Sequence, residues 1–196
     1  MDIYPSNFES KIGFDKVREI IQGRCLSTLG KEEVDECNFS SNREVVERQL
    51  DETIEFVKVI GDGMNFPNSY FIDIRHALQR SKVVGTFLDV FELFDLRRSL
   101  ETVRAIVAFF RNTEEENFPR LRNVVQNVQI FPFIYGRIDQ IINKHGQIKD
   151  NASPELSQIR RDIFSLQSGI SKIMSTILRK MQAEGLVEKD ISVSMR

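Results

Sequence analysis

The sequence predicts an all-α fold: a helical core bundle with one long protruding lever or coiled-coil helix and a short terminal β-strand. Apolar residues recur every three or four positions through most of the 196-residue chain, which is the period of amphipathic helices. Candidate N-caps and glycine stops separate these segments. One segment, Ile191–Met195, alternates apolar and polar residues and predicts a half-buried strand. Because no earlier segment offers this strand a partner, we expect the chain to be part of a longer one.

The composition is that of an ordinary globular protein, with 41% hydrophobic and 29% charged residues. The net charge of −2 excludes a global basic field, so any DNA contact would be local or made by another part of the protein. The sequence contains no apolar run of membrane length and no signal peptide, and we expect a cytoplasmic protein without membrane contact. Cys25 and Cys37 fit no zinc spacing and are expected to be reduced thiols.

Helical periodicity and capping residues define four helices in the first 81 residues, over 14–24, 29–36, 43–60 and 73–81. Ser27 is the expected N-cap of the second helix, and the glycines at 61 and 63 end the third. Two apolar stripes are expected to face the core. They are Phe14, Val17, Ile20, Ile21 and Cys25 on the first helix, and Val46, Leu50, Thr53 or Ile54, Val57 and Ile60 on the third.

A long amphipathic helix is predicted to begin at Asp89, with an apolar face wide enough for a central position in a bundle. Helices over 118–128 and 133–142 follow, with Pro132 as a break between them. Arginines on the long helix could form a basic strip, but acids interleave with them, so a surface ion-pair lattice is the favoured interpretation. These arginines are Arg97, Arg98, Arg104 and Arg111. The segment 144–150 is predicted as a turn that could include a short strand.

The longest predicted helix begins at Ser153 and ends before Gly185. Ser153 is a good N-cap because its hydroxyl can accept a hydrogen bond from the first turn, and Pro154 suits the first helical position. An apolar heptad seam follows, at alternating spacings of 3 and 4, on a helix roughly 46 Å long. The seam consists of Leu156, Ile159, Ile163, Leu166, Ile170, Ile173 and Ile177. Because a core of this size does not need so long a helix, we expect a lever or a coiled-coil arm. Gly169 at its middle is either a close-packing point or merely tolerated.

The sequence contains no catalytic constellation, no cofactor-binding motif and no metal-ligand spacing. His76 and His145 are the only histidines, too few for most metal sites. The Walker, nucleophile-elbow and H-E-x-x-H motifs do not occur. We therefore expect no catalysis, cofactor or metal within these 196 residues.

Five segments carry a resemblance to a known family. They are Phe14–Val17, Ser27–Lys31, Arg48–Thr53, Phe71–Arg75 and Gly146–Leu156. In order and spacing they resemble the N-terminal part of MutS-type proteins, specifically the bacterial MutS-two branch, and the last segment is the most specific. The resemblance implies a helical core domain over 1–150 and a lever helix over 151–185 as the ascending half of a clamp arm. It also implies the truncated start of a clamp strand over 186–196.

The same resemblance implies a complete protein that binds branched or mismatched DNA in an ATP-dependent manner and suppresses recombination, with ribosomes as a further target in some members. ATP and Mg would bind in an ATPase domain beyond Arg196, an Smr endonuclease domain would follow, and the protein would be a homodimer. No motif of these domains lies in the present residues, so no catalytic residue is assigned here. The alternative is a self-contained helical dimerisation or scaffold module whose heptad arm pairs with itself.

Overall fold

The computed structural model describes residues 5, 7–114, 116–188 and 190–192. Within these ranges the chain forms nine α-helices, and the one β pairing is an isolated antiparallel bridge between Ile142 and Ile148. The all-α prediction is confirmed. The helices are α1 (Phe8–Ile12), α2 (Phe14–Gln22), α3 (Thr28–Asp35), α4 (Arg43–Gly61), α5 (Arg75–Ser81), α6 (Val90–Asn112), α7 (Pro119–Gln126), α8 (Pro132–Ile141) and α9 (Pro154–Ala183).

Three helices of the first part of the chain, α3, α4 and α6, begin at polar side chains that cap their first turn. The Ser27 hydroxyl accepts a backbone hydrogen bond at the start of α3, and the Asn42 carboxamide accepts two at the start of α4. Asp89 and Glu92 form a capping box at α6, where each carboxylate accepts the backbone N–H of the other residue, at 2.8 and 3.0 Å. These starts agree with the sequence because capping is a local interaction.

Two helices differ from the sequence-based expectation. The five-residue α1 was not predicted, because so short a segment shows no measurable period. Pro132, expected as the break between two helices, separates α7 from α8 but is itself the first residue of α8, one position before the expected start. A proline costs nothing there, because the N–H that it lacks has no partner inside the helix.

The chain divides into two compact units, residues 1–138 and residues 139–196. The core of the first unit lies where α4 and α6 pack on α7, and aromatic rings fill much of it. Phe66 makes edge-to-face contacts with Phe56 and Phe109, at centroid distances of 5.0 and 5.4 Å. The buried residues of this cluster are Val59, Val107, Phe110, Phe118 and Val125. The predicted core domain over 1–150 and lever over 151–185 stay predictions.

The core-facing side of α4 is not the apolar stripe that the sequence predicted. Glu55 is 8% exposed and Val59 is fully buried, whereas the predicted stripe is mostly in solvent. Its exposed members, between 53% and 64% accessible, are Leu50, Ile54, Val57 and Ile60. That prediction was wrong, because the side of α4 that is buried carries Glu55 and Val59.

A distant contact is made by the Glu55 carboxylate at the N-terminus of α7. Its two oxygens accept the backbone N–H groups of Arg120 and Leu121, at 3.0 and 2.9 Å. The N-cap residue of α7, Phe118, has no side chain able to cap it. Glu55 therefore supplies from α4 the cap that α7 lacks, and its negative charge suits the helix N-terminus.

The predicted stripe of α2 is also mostly outside the core. Val17, Ile20 and Ile21 are exposed, and α2 contacts α3 through polar groups. The Arg18 guanidinium donates to carbonyl oxygens at the end of α3, of Val34 at 3.2 Å and Cys37 at 2.8 Å. These bonds tie α2 to the last turn of α3 and to the residue two positions after its end.

The ion-pair lattice expected on α6 is present. Arg97 pairs with Glu101 at 3.2 Å, Arg98 pairs with Asp95, and the capping-box residue Glu92 pairs with Arg80 of α5. Arg97 and Arg104 also lie over the ring of Tyr135. Arg97, Arg98 and Arg104 therefore serve contacts within this unit.

The predicted terminal strand is not seen. Ile191 and Ser192 belong to no strand, and the remainder of that segment, residues 193–196, lies outside the described residues. In the part of the chain that the structure covers, no helix combines the length and apolar character needed to cross a membrane.

Candidate functional site

The connection between α8 and α9 is a turn fixed by the side chain of Asn143. Its carboxamide oxygen accepts the backbone N–H groups of His145 and Gln147, at 2.9 and 3.0 Å. The backbone N–H of Asn143 donates to the Gln147 carbonyl at 2.8 Å, next to the Ile142–Ile148 bridge. Gly146 has φ 76°, a conformation that glycine adopts without strain. The turn therefore has one well-defined shape.

Lys149 and Asp150 tie this turn to the last residues of α8 and to α9. The backbone N–H of Lys149 donates to the Ile141 carbonyl at 2.8 Å, and its ammonium group donates to the carbonyl of Asp139. The Asp150 carboxylate pairs with Arg160, in the second turn of α9. Together these bonds hold the start of α9 against the end of α8.

The first turn of α9 contains both predicted cap residues. The Ser153 hydroxyl accepts the N–H of Leu156 at 3.1 Å, and Pro154 is the first helical residue. Hydrogen bonds from the Glu155 backbone N–H and the Ser153 side chain lower the pKa of the Glu155 carboxyl. A charged carboxylate at this position is stabilised by the helix dipole.

At its other end α9 stops at a Schellman motif. Gly185 has φ 73°, its N–H donates to the Gln182 carbonyl at 3.2 Å, and the Leu186 N–H donates to the Met181 carbonyl at 2.9 Å. The sequence predicted Gly185 as the stop. Between these two ends the helix has 30 residues and no break, a length of about 45 Å.

The predicted seam of α9 is almost entirely uncovered. No residue of α9 is buried, and Leu156 alone among the seam residues is half-buried. The remaining seam side chains are 48–68% exposed: Ile159, Ile163, Leu166, Ile170, Ile173 and Ile177. A Cβ atom added at Gly169 would meet nothing within 4 Å. Within the described residues of the second unit no helix packs along the seam.

Two of the five segments that carry the family resemblance hold the first unit together. In Phe71–Arg75, the Arg75 guanidinium binds Asp73 and also Glu32 of α3, each at 2.7 Å. Hydrogen bonds from the Arg75 side chain and then from its backbone lower the pKa of Asp73 to about 2. In Arg48–Thr53, the Asp51 carboxylate pairs with Arg120 of α7 at 3.1 Å. These side chains join segments that are far apart in sequence.

Glu55 is the residue that sequence reasoning missed. It lies on α4 next to predicted core positions, and its partners are 65 and 66 residues further along the chain. No local pattern indicates such a contact. A glutamate flanked by apolar residues on a helix is the one available signal, and it also occurs on solvated faces.

The described residues hold no group of three His, Cys, Asp or Glu side chains that could bind a metal ion. His76 and His145 are both exposed, and the thiols of Cys25 and Cys37 are free. The two features on which a function could be built are therefore the fixed α8–α9 turn and the uncovered seam of α9.

The chain is similar to bacterial proteins named Endonuclease MutS2. It is 29% identical to the protein from Geobacillus sp. (strain WCH70) over 180 residues. This aligned region covers 91% of the present chain and 23% of the Geobacillus protein. It is 30% identical over 184 residues to the protein from Ruminiclostridium cellulolyticum, and the aligned region covers 93% of this chain and 23% of that protein. The Putative endonuclease MutS2 of Bacillus subtilis (strain 168) is 27% identical over 184 residues, with the same coverage. The chain thus spans less than a quarter of the length of these relatives. No protein-family model matches it.

Proposed function

We propose that this chain is the core and lever part of a MutS-family DNA-processing protein. The observation that carries the proposal is its similarity to Endonuclease MutS2 proteins over 91–93% of its length. The architecture supports the proposal, because a helical unit followed by one uninterrupted 30-residue helix is what a core and a lever require.

In this proposal α9 transmits the nucleotide state of an ATPase domain, outside the present residues, to a distal DNA clamp. A helix transmits a displacement only if it is stiff along its length and fixed at its base. The contacts of Asn143 and Lys149 provide the fixed base, and the unbroken backbone hydrogen bonding of α9 provides the stiffness.

The proposal assigns the chemistry to the complete protein. That protein binds branched or mismatched DNA under the control of ATP and Mg, suppresses recombination and carries the endonuclease activity. It acts in the cytoplasm as a homodimer, with ribosomes as a further partner. The present residues position and couple the other domains and take no part in catalysis.

The test is made in the complete protein that carries this chain. Ile163→Asp with Ile170→Asp places two charges on the seam, whereas Ser165→Asp with Ser175→Asp places the same two charges on the opposite, exposed side of α9. Affinity for a four-way DNA junction is measured with and without a non-hydrolysable ATP analogue. We expect the seam variant to bind nucleotide normally but to lose the nucleotide dependence of DNA affinity, and the control to keep it. Unchanged coupling in the seam variant would contradict the proposal.

A further inference from the structure

We propose that the side of α9 opposite the seam binds the phosphate backbone of duplex DNA. This side, which we name the basic face, carries three cations: Arg161, Lys172 and Arg179. The inference deepens the proposed function and rests on it, because it names the part of this chain that touches the DNA. The net charge of −2 gives no global attraction for DNA, so a contact on this chain has to be local.

The helix period places the three cations on one line. Arg161 and Arg179 are 18 residues apart, which is five full turns of about 3.6 residues. Lys172 lies about 20° from the line that joins them, and the seam lies on the other side of the helix. All three side chains are exposed. The basic face therefore presents positive charge along roughly 27 Å of a straight, unbroken helix.

Ion pairing separates these three cations from the other two basic residues of α9. Off the face, Arg160 pairs with Asp150, and Lys180 pairs with Glu184 at 4.0 Å. On the face, none of the three cations pairs with a carboxylate among the described residues, and the Arg161 guanidinium donates to a neutral carboxamide at 2.8 Å. The two arginines of α4, by contrast, each pair with a glutamate one turn further along. The charge of the basic face is thus not neutralised within the described part of the chain.

The remaining side chains of the basic face are short and polar. The face carries no acid and no apolar residue between its first and last members. Its uncharged residues are Ser157, Gln158, Ser165, Ser168, Ser175 and Thr176. Serine and threonine are weaker helix formers than alanine or glutamate, so helix stability does not explain their number here. Arg, Lys, Ser, Thr and Gln are the side chains that contact phosphates in protein–DNA complexes.

This composition favours a nucleic-acid ligand over an acidic protein. Protein interfaces have an apolar core, whereas protein–DNA interfaces are polar and strongly positive. Duplex DNA carries one negative charge per about 1.7 Å of its axis, so the line of cations can face the backbone over about eight base pairs. Each neutralised phosphate releases counterions, which makes the affinity depend on salt. Three such contacts give a measurable part of the salt dependence.

The test is the salt dependence of DNA binding by the complete protein that carries this chain. Affinity for a duplex of about 24 base pairs is measured without nucleotide, between about 50 and 200 mM salt. Glutamine replaces the three cations because it keeps the helix propensity. We expect binding at least about tenfold weaker at 50 mM salt, and a slope of log affinity against log salt that is shallower by about 2.7. The substitutions are Arg161→Gln, Lys172→Gln and Arg179→Gln.

A matched control removes three exposed cations from α4 by Arg43→Gln, Arg48→Gln and Lys58→Gln. Both arginines are already paired with glutamates, so the affinity should change less than about threefold. Arg161→Lys with Arg179→Lys keeps the charge and should keep the salt slope, which a role in packing alone would not predict.

Added negative charge on the basic face should also act on DNA binding. Ser165→Asp with Ser175→Asp should weaken it by the same factor with and without an ATP analogue, so this pair remains a control for nucleotide coupling. An unchanged affinity of this pair would contradict the inference.

Equal affinity and salt slope for the glutamine variant and the unmodified protein would overturn the inference and leave the proposed function standing. A complete protein that binds no DNA would overturn both. Duplex RNA and polyglutamate are measured as alternative ligands, and a loss of affinity confined to either of them would overturn the assignment to DNA. Because no nucleotide is present in the salt series, a failure of nucleotide coupling in the seam variant would leave this result unaffected.

Discussion

Replacing Glu55 with alanine tests whether a buried carboxylate on α4 caps α7. The substitution removes two hydrogen bonds of 3.0 and 2.9 Å to the N–H groups of Arg120 and Leu121 and leaves both donors without a partner. Hydrogen bonds to charged groups contribute roughly 1.5–3 kcal/mol each, and loss of an N-cap costs about 0.5–2 kcal/mol. Because the two bonds act as one cap, we expect the free energy of unfolding to fall by about 3 kcal/mol.

The assay is urea denaturation followed by circular dichroism, with the free energy extrapolated to water. Glu55→Gln keeps one carbonyl oxygen but loses the charge, so it should cost roughly half as much as alanine. Glu47→Ala is the matched control, because Glu47 lies on the same helix and makes only an exposed pair with Arg43, and it should change the free energy by less than about 0.5 kcal/mol. A loss below about 1 kcal/mol for Glu55→Ala would refute the capping argument.

Two further predictions concern Asp73 and Gly169. The folded-state pKa of Asp73 is lowered to about 2, so its bond to Arg75 stabilises the protein above pH ~4 and is lost as pH falls through ~2. The melting temperature of Asp73→Asn should therefore fall less between pH 5 and pH 2 than that of the unmodified protein. The same fall in both proteins would contradict this prediction. Gly169→Ala should raise the stability of α9 by about 1 kcal/mol, read as helical signal on heating, because the added Cβ meets nothing within 4 Å. A loss of stability would show a close contact at that point.

The elements that sequence predicts well are those whose causes are local. The cap at Ser27, the capping box at Asp89 and the stop at Gly185 each involve residues within a few positions of one another. The class of fold follows from such signals, and so does the extent of α9. Helical periodicity is a property of neighbouring residues, and it remains visible whatever the helix packs against.

The orientation of α4 could not be predicted, because the apolar stripe at Leu50 and Val57 is the stronger sequence signal but not the buried face. The buried face carries Val59 and Glu55, and Glu55 binds the end of a helix 65 residues away. The turn at Asn143 was predicted only as a turn, since its rigidity depends on contacts that no spacing rule encodes. Similarly, the seam of α9 was visible as a pattern, but periodicity does not show whether the same chain supplies a partner.

The turn before α9 also has a geometrical consequence. Because α9 is about 45 Å long, a tilt of about 10° at its base moves its far end by about 8 Å, more than the length of one helical turn. The bonds made by Asn143 and Lys149 limit how much of such a tilt is absorbed within the turn itself. A change of a few tenths of an ångström near residue 143 can therefore become a displacement of several ångströms at residue 183, with no change inside the helix.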